Sequence, residues 1–295
     1  MRIGSRWGLV ALALALCVAP GSSAESGSGA AQRAVDEALS GTSAVAVVLD
    51  GGDGRLIAAK RQEEAARIAS APGSALKPFF LMAALQRGRV RPATTVVCHG
   101  DLRIAGRDLA CTHPREENVL DAERALAYSC NTWFASLATR LSPAEAVEVL
   151  QSYGFGSRTG LVNDESVGIL RDPAKEADVQ LLVLGLQGVD VTPLQLARAY
   201  VRLRQKLGTM AVVRRGLEGS VAYGMAHNAA TEGWTIAGKT GTASDPGEAW
   251  THGWFAGIAR RGAEPMVVVI EVPHGNGADA ASLAHRLFTA WGRTQ

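Results

Sequence analysis

The chain has 295 residues, 30 of them Lys or Arg and 28 Asp or Glu, for a formal net charge of +2. That balance, with no basic run interleaved with aromatics, sets aside a nucleic-acid partner. With 47% apolar residues the chain can bury a sizeable core, as one large domain or two small ones.

In chain order, Arg2 and Arg6 precede an apolar run from Gly8 to Ala19 and a small-residue segment from Gly21 to Ala24. This is the layout of a secretory signal peptide over residues 1–24. It places the mature protein outside the cytoplasm, periplasmic or otherwise extracytoplasmic, and soluble after cleavage. An uncleaved anchor is the weaker reading, because the run of about 12 residues falls short of the roughly 20 that span a bilayer. Lipidation at Cys17 is weaker too, since Leu16 precedes it where a small residue is wanted.

Residues 25–44 form a lead-in and a first helix. The Gly, Ser and Ala of residues 21–30 read as a flexible segment. AAQRAVDEALS then sets Ala34, Val35, Ala38 and Leu39 at helical spacing. SAVAVVLD, a Gly-Asp-Gly turn and RLIAAK make a β-hairpin. Residues 78–87 are helical in pattern, and Gly88 is the C-terminal stop.

Cys98 and Cys111 flank the polar loop CHGDLRIAGRDLAC. Paired in an oxidising compartment they would close a loop worth about 3 kcal/mol, leaving Cys130 as a buried small thiol. A rival reading gathers Cys98, His99, Cys111 and His113 as zinc ligands, although their spacing matches no standard finger. A third leaves the thiols free.

The middle, about 90–210, is mainly helical. NTWFASLATRL, SPAEAVEVLQSYG and TPLQLARAYVRLRQKLG each carry the helical period. Ser142, Pro143 and Glu145 spell a capping box with proline at the first helical position, and Thr192 with Pro193 repeats the device. Towards the C-terminus, WTIAGKTGTAS, WTHGWFAGIARR and PMVVVIEVPH read as strands, the last two joined as an antiparallel hairpin by residues 261–264. A closing helix aligns Leu283, Leu287 and Trp291 on one face. Strands at both ends and helices between predict an α+β fold. An antiparallel sheet of about five strands is flanked by the terminal helices, with a central helical part over about 75–230.

Within APGSALKPFF, Pro78 is tolerated only in a first helical turn, so the helix begins near Ser74. Lys77 then lies one turn on, on the same face. The free N–H groups and positive end of the helix would stabilise negative charge developing at Ser74. Lys77 could take the hydroxyl proton if burial or a nearby cation lowered its pKa. Alone, Ser-x-x-Lys is more often a helix cap beside a surface lysine. Here it is followed by Ser129-Cys130-Asn131 at a helix start and by Lys239-Thr240-Gly241-Thr242 on a strand. That ordered trio occurs in penicillin-binding proteins and class A β-lactamases.

On these motifs, and on YGFGSRTG, GLQGVDVTPLQLARAY and HGWFAGIA between and after them, the chain resembles the transpeptidase domain of penicillin-binding proteins, closest to class B. The domain implied is residues 45–295. The resemblance implies a serine acyltransferase acting on D-Ala-D-Ala stem peptides of peptidoglycan, as transpeptidase or carboxypeptidase, and acylated covalently by β-lactams. Ser74 would be the nucleophile and Lys77 its base. Ser129 would relay a proton to the leaving amine with Lys239 close by. Asn131 would bind the substrate amide chain, and Lys239, Thr240 and Thr242, with Gly241 between them, the substrate carboxylate. The N–H groups of Ser74 and Thr242 would form the oxyanion hole. Lys239 would also lower the Lys77 pKa by like charge. No cofactor or metal is expected. The partners are stem peptides and β-lactams, and cell-wall synthesis proteins by extension.

Class B members usually carry a membrane anchor and an N-terminal pedestal, and only about 20 residues separate the expected cleavage site from the first strand. A nearly bare domain of this kind also suits a sensor that is acylated without turnover. A β-lactamase is a further alternative. Glu165 is the loop glutamate weighed for deacylation, but nothing ties it to the site and it reads better as solvated surface. Asn131 and Tyr223-Gly224-Met225 depart from the class D pattern of Val or Ile and Tyr-Gly-Asn. His252, beside the third-motif strand, could face the cleft but reads better as a strand histidine satisfied by the backbone.

Overall fold

The computed structural model describes Met1, residues 22–245 and residues 247–293. The expected signal peptide falls, over residues 2–21, outside the described residues. Among the described residues no helix is long and apolar enough to cross a membrane.

Helix α1 (Ser22–Ala38) runs straight through the segment expected to be flexible. Its stripe of Ala31, Ala34, Val35 and Ala38 is buried in the core. Tertiary packing of that stripe outweighs the poor propensity of the glycines before it. Strands β1 (Val45–Asp50) and β2 (Leu56–Lys60) form the expected hairpin, whose turn is closed by the Asp50 carboxylate accepting from the N–H groups of Gly52 and Asp53. After α2 (Gln62–Arg67), a 3-10 turn at Gly73–Leu76 leads into α3 (Lys77–Gln86).

The central part opens with four two-residue strands: β3 (Val96–Val97), β4 (Arg103–Ile104), β5 (Arg107–Asp108) and β6 (Val119–Leu120). Helices α4 (Ala122–Ala127), α5 (Asn131–Ala138) and α6 (Pro143–Ser152) follow, then β7 (Ile169–Leu170), α7 (Glu176–Val183), β8 (Val189–Asp190), α8 (Pro193–Leu207) and α9 (Ala211–Ala222). Both expected capping boxes are present, Ser142 with Glu145 and Thr192 with Gln195. Helix α9 carries no clear local signal, because Gly216 and Gly219 weaken its propensity; burial of Val213, Leu217 and Val221 supplies what propensity lacks.

The chain then returns to the sheet with β9 (Thr235–Ala243), β10 (His252–Arg260) and β11 (Pro265–Val272), and ends in α10 (Gly277–Gly292). The sheet order is β2-β1-β11-β10-β9, antiparallel throughout, so strands from the two ends of the chain meet at the β1–β11 pairing. Alternation divides the core in two. Val45, Val47, Leu49, Trp254, Ala256, Val267 and Val269 face α8 and the helical part. Ala46, Val48, Phe255, Val268 and Ile270 face α1 and α10. Strand β9 is left as a sheet edge, and the central part stands beside it.

Candidate active site

The segment that carries Ser74 is anchored on several sides. Ser70 exchanges backbone hydrogen bonds with Val191 at 3.1 and 2.9 Å, and its hydroxyl donates to Glu271 Oε1 at 2.7 Å. Asp245 accepts from the Ala71 N–H at 2.9 Å, and Ala71 O accepts from the Trp254 indole at 3.0 Å. Gly73 N donates to Gly185 O at 2.9 Å, and Tyr200 donates to Ala75 O at 3.0 Å. Glycines allow the turn to touch the sheet edge. A side chain at Gly73 (φ 55°) would lie within 2.8 Å of Thr242 N, and one at Gly241 would lie 2.2 Å from Pro72 O. Those contacts bring the backbone of Ser74 and that of Thr242 to the same place.

Lys77 is fully buried, with its Nζ donating to Ser129 O at 2.7 Å, Asn131 Oδ1 at 2.7 Å and Ser129 Oγ at 3.3 Å. Burial lowers its pKa to about 8, with the Cys130 and Cys111 sulfurs acting the other way. Lys239, also fully buried, donates to Thr240 O at 3.0 Å. Its pKa is pushed down by burial first and by the Lys77 charge second. The like-charge effect expected on Lys77 therefore falls on Lys239, and burial is what lowers Lys77. Ser129 sits at φ 56°, a left-handed conformation that costs a non-glycine residue about 1–2 kcal/mol. It turns the chain sharply between α4 and α5. Asn131 is held at both ends of its amide, by Lys77 on Oδ1 and by Nδ2 donating to Leu109 O at 3.0 Å.

Ser74, Ser129, Asn131, Thr240, Gly241 and Thr242 thus line one cleft of about 290 Å³, with Lys77 and Lys239 buried behind it. Met225, noted in the sequence only as a departure from the class D pattern, lines it as well. The Thr240 hydroxyl donates weakly to Met225 O at 3.4 Å, while the Thr242 hydroxyl accepts from Gly277 N at 2.9 Å.

Three expectations are corrected. Cys98, Cys111 and Cys130 are free thiols, so the Cys98–Cys111 disulfide is not formed. Cys130, read as a leftover, lies beside Cys111 with the two sulfurs 3.8 Å apart. Glu165 is not solvated: at 5% exposure it accepts from the N–H groups of Thr159, Gly160, Leu161 and Val162 and from the Thr159 hydroxyl. Burial opposes its ionisation, yet these donors hold the carboxyl below its ordinary value. His252 is satisfied by carboxylates rather than backbone, with Nδ1 3.2 Å from Glu271 and Nε2 3.0 Å from Glu248. Glu271 foremost raises its pKa to about 9, against burial.

Several known proteins are similar to this chain. A relative matched over 209 residues is stage V sporulation protein D of Bacillus subtilis, 27% identical over 58% of this chain and 32% of that protein. The peptidoglycan D,D-transpeptidase FtsI of Escherichia coli is 33% identical over 45% of this chain and 22% of its own length. The peptidoglycan D,D-transpeptidase MrdA of Acinetobacter baumannii is 24% identical over 75% and 42%. The chain therefore spans well under half the length of these relatives. Among solved structures, the transpeptidase domain of Burkholderia pseudomallei penicillin-binding protein 3 superposes with a TM-score of 0.76 at 22% identity, covering 92% of this chain and 93% of that one. This likeness establishes the α+β fold. Residues 44–290 match the family described as penicillin binding protein transpeptidase domain, and the chain belongs to that family.

Proposed function

We propose that the protein is an exported serine enzyme acting on D-Ala-D-Ala stem peptides of peptidoglycan, as a D,D-transpeptidase or carboxypeptidase, through an acyl-enzyme on Ser74. The observation that carries the reading is the buried Lys77, whose lowered pKa makes an uncharged amine accessible near neutral pH. An uncharged amine has two N–H donors and one lone pair. Its two short contacts, to Ser129 O and Asn131 Oδ1, can use both donors, so the 3.3 Å contact to Ser129 Oγ is the one given up. The lone pair then takes the Ser74 proton as Oγ attacks the penultimate D-Ala carbonyl.

In this mechanism the tetrahedral oxyanion is stabilised by the N–H groups of Ser74 and Thr242, and removing one such donor typically costs about 3 kcal/mol. Collapse breaks the peptide bond and expels D-Ala, whose amine receives the proton from Lys77 through the Ser129 hydroxyl. Asn131 binds the substrate amide chain with its remaining N–H. Lys239 and Thr240 bind the terminal carboxylate from the open edge of β9. The Thr242 hydroxyl accepts from the Gly277 N–H, which leaves its own O–H free to donate to that carboxylate. An acceptor amine or water then releases the acyl group.

Deacylation separates the alternatives. No carboxylate or imidazole is among the described residues lining the cleft, and Glu165 is consumed in organising residues 159–162. That favours a long-lived penicillin adduct over β-lactamase turnover. Incubation with a D-Ala-D-Ala peptide should release D-Ala in amounts exceeding the enzyme. Stable acylation with no release would instead identify a sensor, and rapid hydrolysis of a chromogenic cephalosporin a β-lactamase.

A further inference from the structure

Next to the cleft, Cys98, Cys111, His113 and Cys130 each place one ligand atom within 4.8 Å of all the others. They come from separate elements: the end of the β3 region, the loop after β5, and the N-cap of α5. The set differs from the one sequence spacing suggested, with Cys130 in place of His99.

Their geometry suits a tetrahedral ion better than a disulfide. The Cys111 and Cys130 sulfurs are 3.8 Å apart. Two thiolates on one zinc at about 2.3 Å are separated by about 3.8 Å along the tetrahedron edge, whereas a disulfide needs about 2.05 Å. His113 supplies an independent observation. It is 8% exposed, and its Nδ1 lies 3.1 Å from Pro114 O. That carbonyl can only accept, so Nδ1 carries the proton and Nε2 is a bare lone pair. Nε2 is buried with no hydrogen-bond partner. An imidazole fixed by a backbone carbonyl on one nitrogen and unpartnered on the other is arranged as a metal ligand is. The sulfurs are supported in the same manner: Asn131 N donates to Cys111 Sγ at 3.2 Å and Trp133 N to Cys130 Sγ at 3.5 Å.

We propose that Cys98, Cys111, His113 and Cys130 bind one structural zinc ion that fixes the side of the cleft lined by Ala110, Cys111 and Thr112. Three thiolates and one imidazole form a closed donor set with no position left for a reacting water, so the ion is structural. Soft sulfur donors in a tetrahedron select zinc over magnesium, calcium or manganese. The ion would tie the segment from Cys98 to His113, which has little core of its own, to the start of α5. Cys130 stands between Ser129 and Asn131, so these four would act as positioning residues for both.

The metal claim stands whether or not the proposed reaction does, and its test reads metal directly. The full chain, purified without chelator, should contain one zinc per chain by elemental analysis, with an X-ray absorption signature of three sulfurs at about 2.3 Å and one nitrogen. His113→Ala and Cys98→Ser, neither in the catalytic machinery, should each weaken zinc binding by about 100-fold or more in chelator competition. Should one variant fail to fold, cobalt added to chelator-treated wild type gives a second readout, the absorption bands of tetrahedral thiolate-bound cobalt. Three outcomes overturn the proposal: no zinc after repletion with all three thiols reactive, a Cys111–Cys130 disulfide in peptide mapping, or zinc retained at full affinity in both variants.

Discussion

The wall of the cleft that carries Ser74 is fixed by backbone and side-chain contacts from α8, β9, β10, β11 and the loop before β8. The facing wall, from Val96 to Leu120, is built on the β3–β6 and β4–β5 ladders, each two residues long. The first wall belongs to the core and inherits its rigidity. The second has little apolar surface to bury, and its inner edge is a cluster of sulfurs and one imidazole. A nucleophile can thus be placed by packing, while the residues that face it need another kind of fastening.

The comparison predicts graded effects. Lys77→Gln keeps a polar side chain but removes the proposed base, and should slow acylation by a labelled penicillin by about 10²–10⁴-fold in stopped-flow measurements. An unchanged rate would mean that burial of Lys77 has nothing to do with the reaction. Gly241→Val disturbs the first wall at the sheet edge, because any side chain there meets Pro72 O. Displacement of the turn by about 1 Å should cost about 100-fold in acylation. Glu165→Gln, remote from the cleft, should destabilise the fold by about 1–3 kcal/mol in denaturant melts through its unpaired N–H donors, while leaving the acylation rate intact.

The pH dependences are smaller and of opposite sense. Acylation should rise with pH through about 8 as Lys77 loses its proton, then level off. The His252 contribution to stability should be fully present below 6.5 and lost as pH rises through about 9, because the folded state holds that proton more tightly. Thermal melts of wild type and His252→Gln across this window should converge at high pH. Parallel curves would show that His252 does not bind Glu271 as a cation.

The same contrast explains what could be read in advance. Pro78 located the start of its helix, and β-branched runs with Gly-Asp-Gly and residues 261–264 located the hairpins, because such signals act within a few residues. Capping boxes at Ser142 and Thr192 were legible for the same reason. Helix α9 was not, since its formation depends on what it packs against. Nor were the partners of Glu165, His252 and Cys130. Glu165 gathers donors from a turn whose shape it creates, and His252 meets Glu271 across a strand pair. Cys130 meets Cys111 and His113 only when α5 closes on the preceding loop. Spacing along the chain therefore suggested His99, a neighbour in sequence, over Cys130, the neighbour in space.

The proposed nucleophile is Ser74. Intact mass measurement after incubation with a penicillin, followed by peptide mapping, tests it most directly. One adduct per chain is expected, on the peptide containing Ser74, and none in Ser74→Ala. An adduct that persists in Ser74→Ala, or maps to another residue, would contradict it.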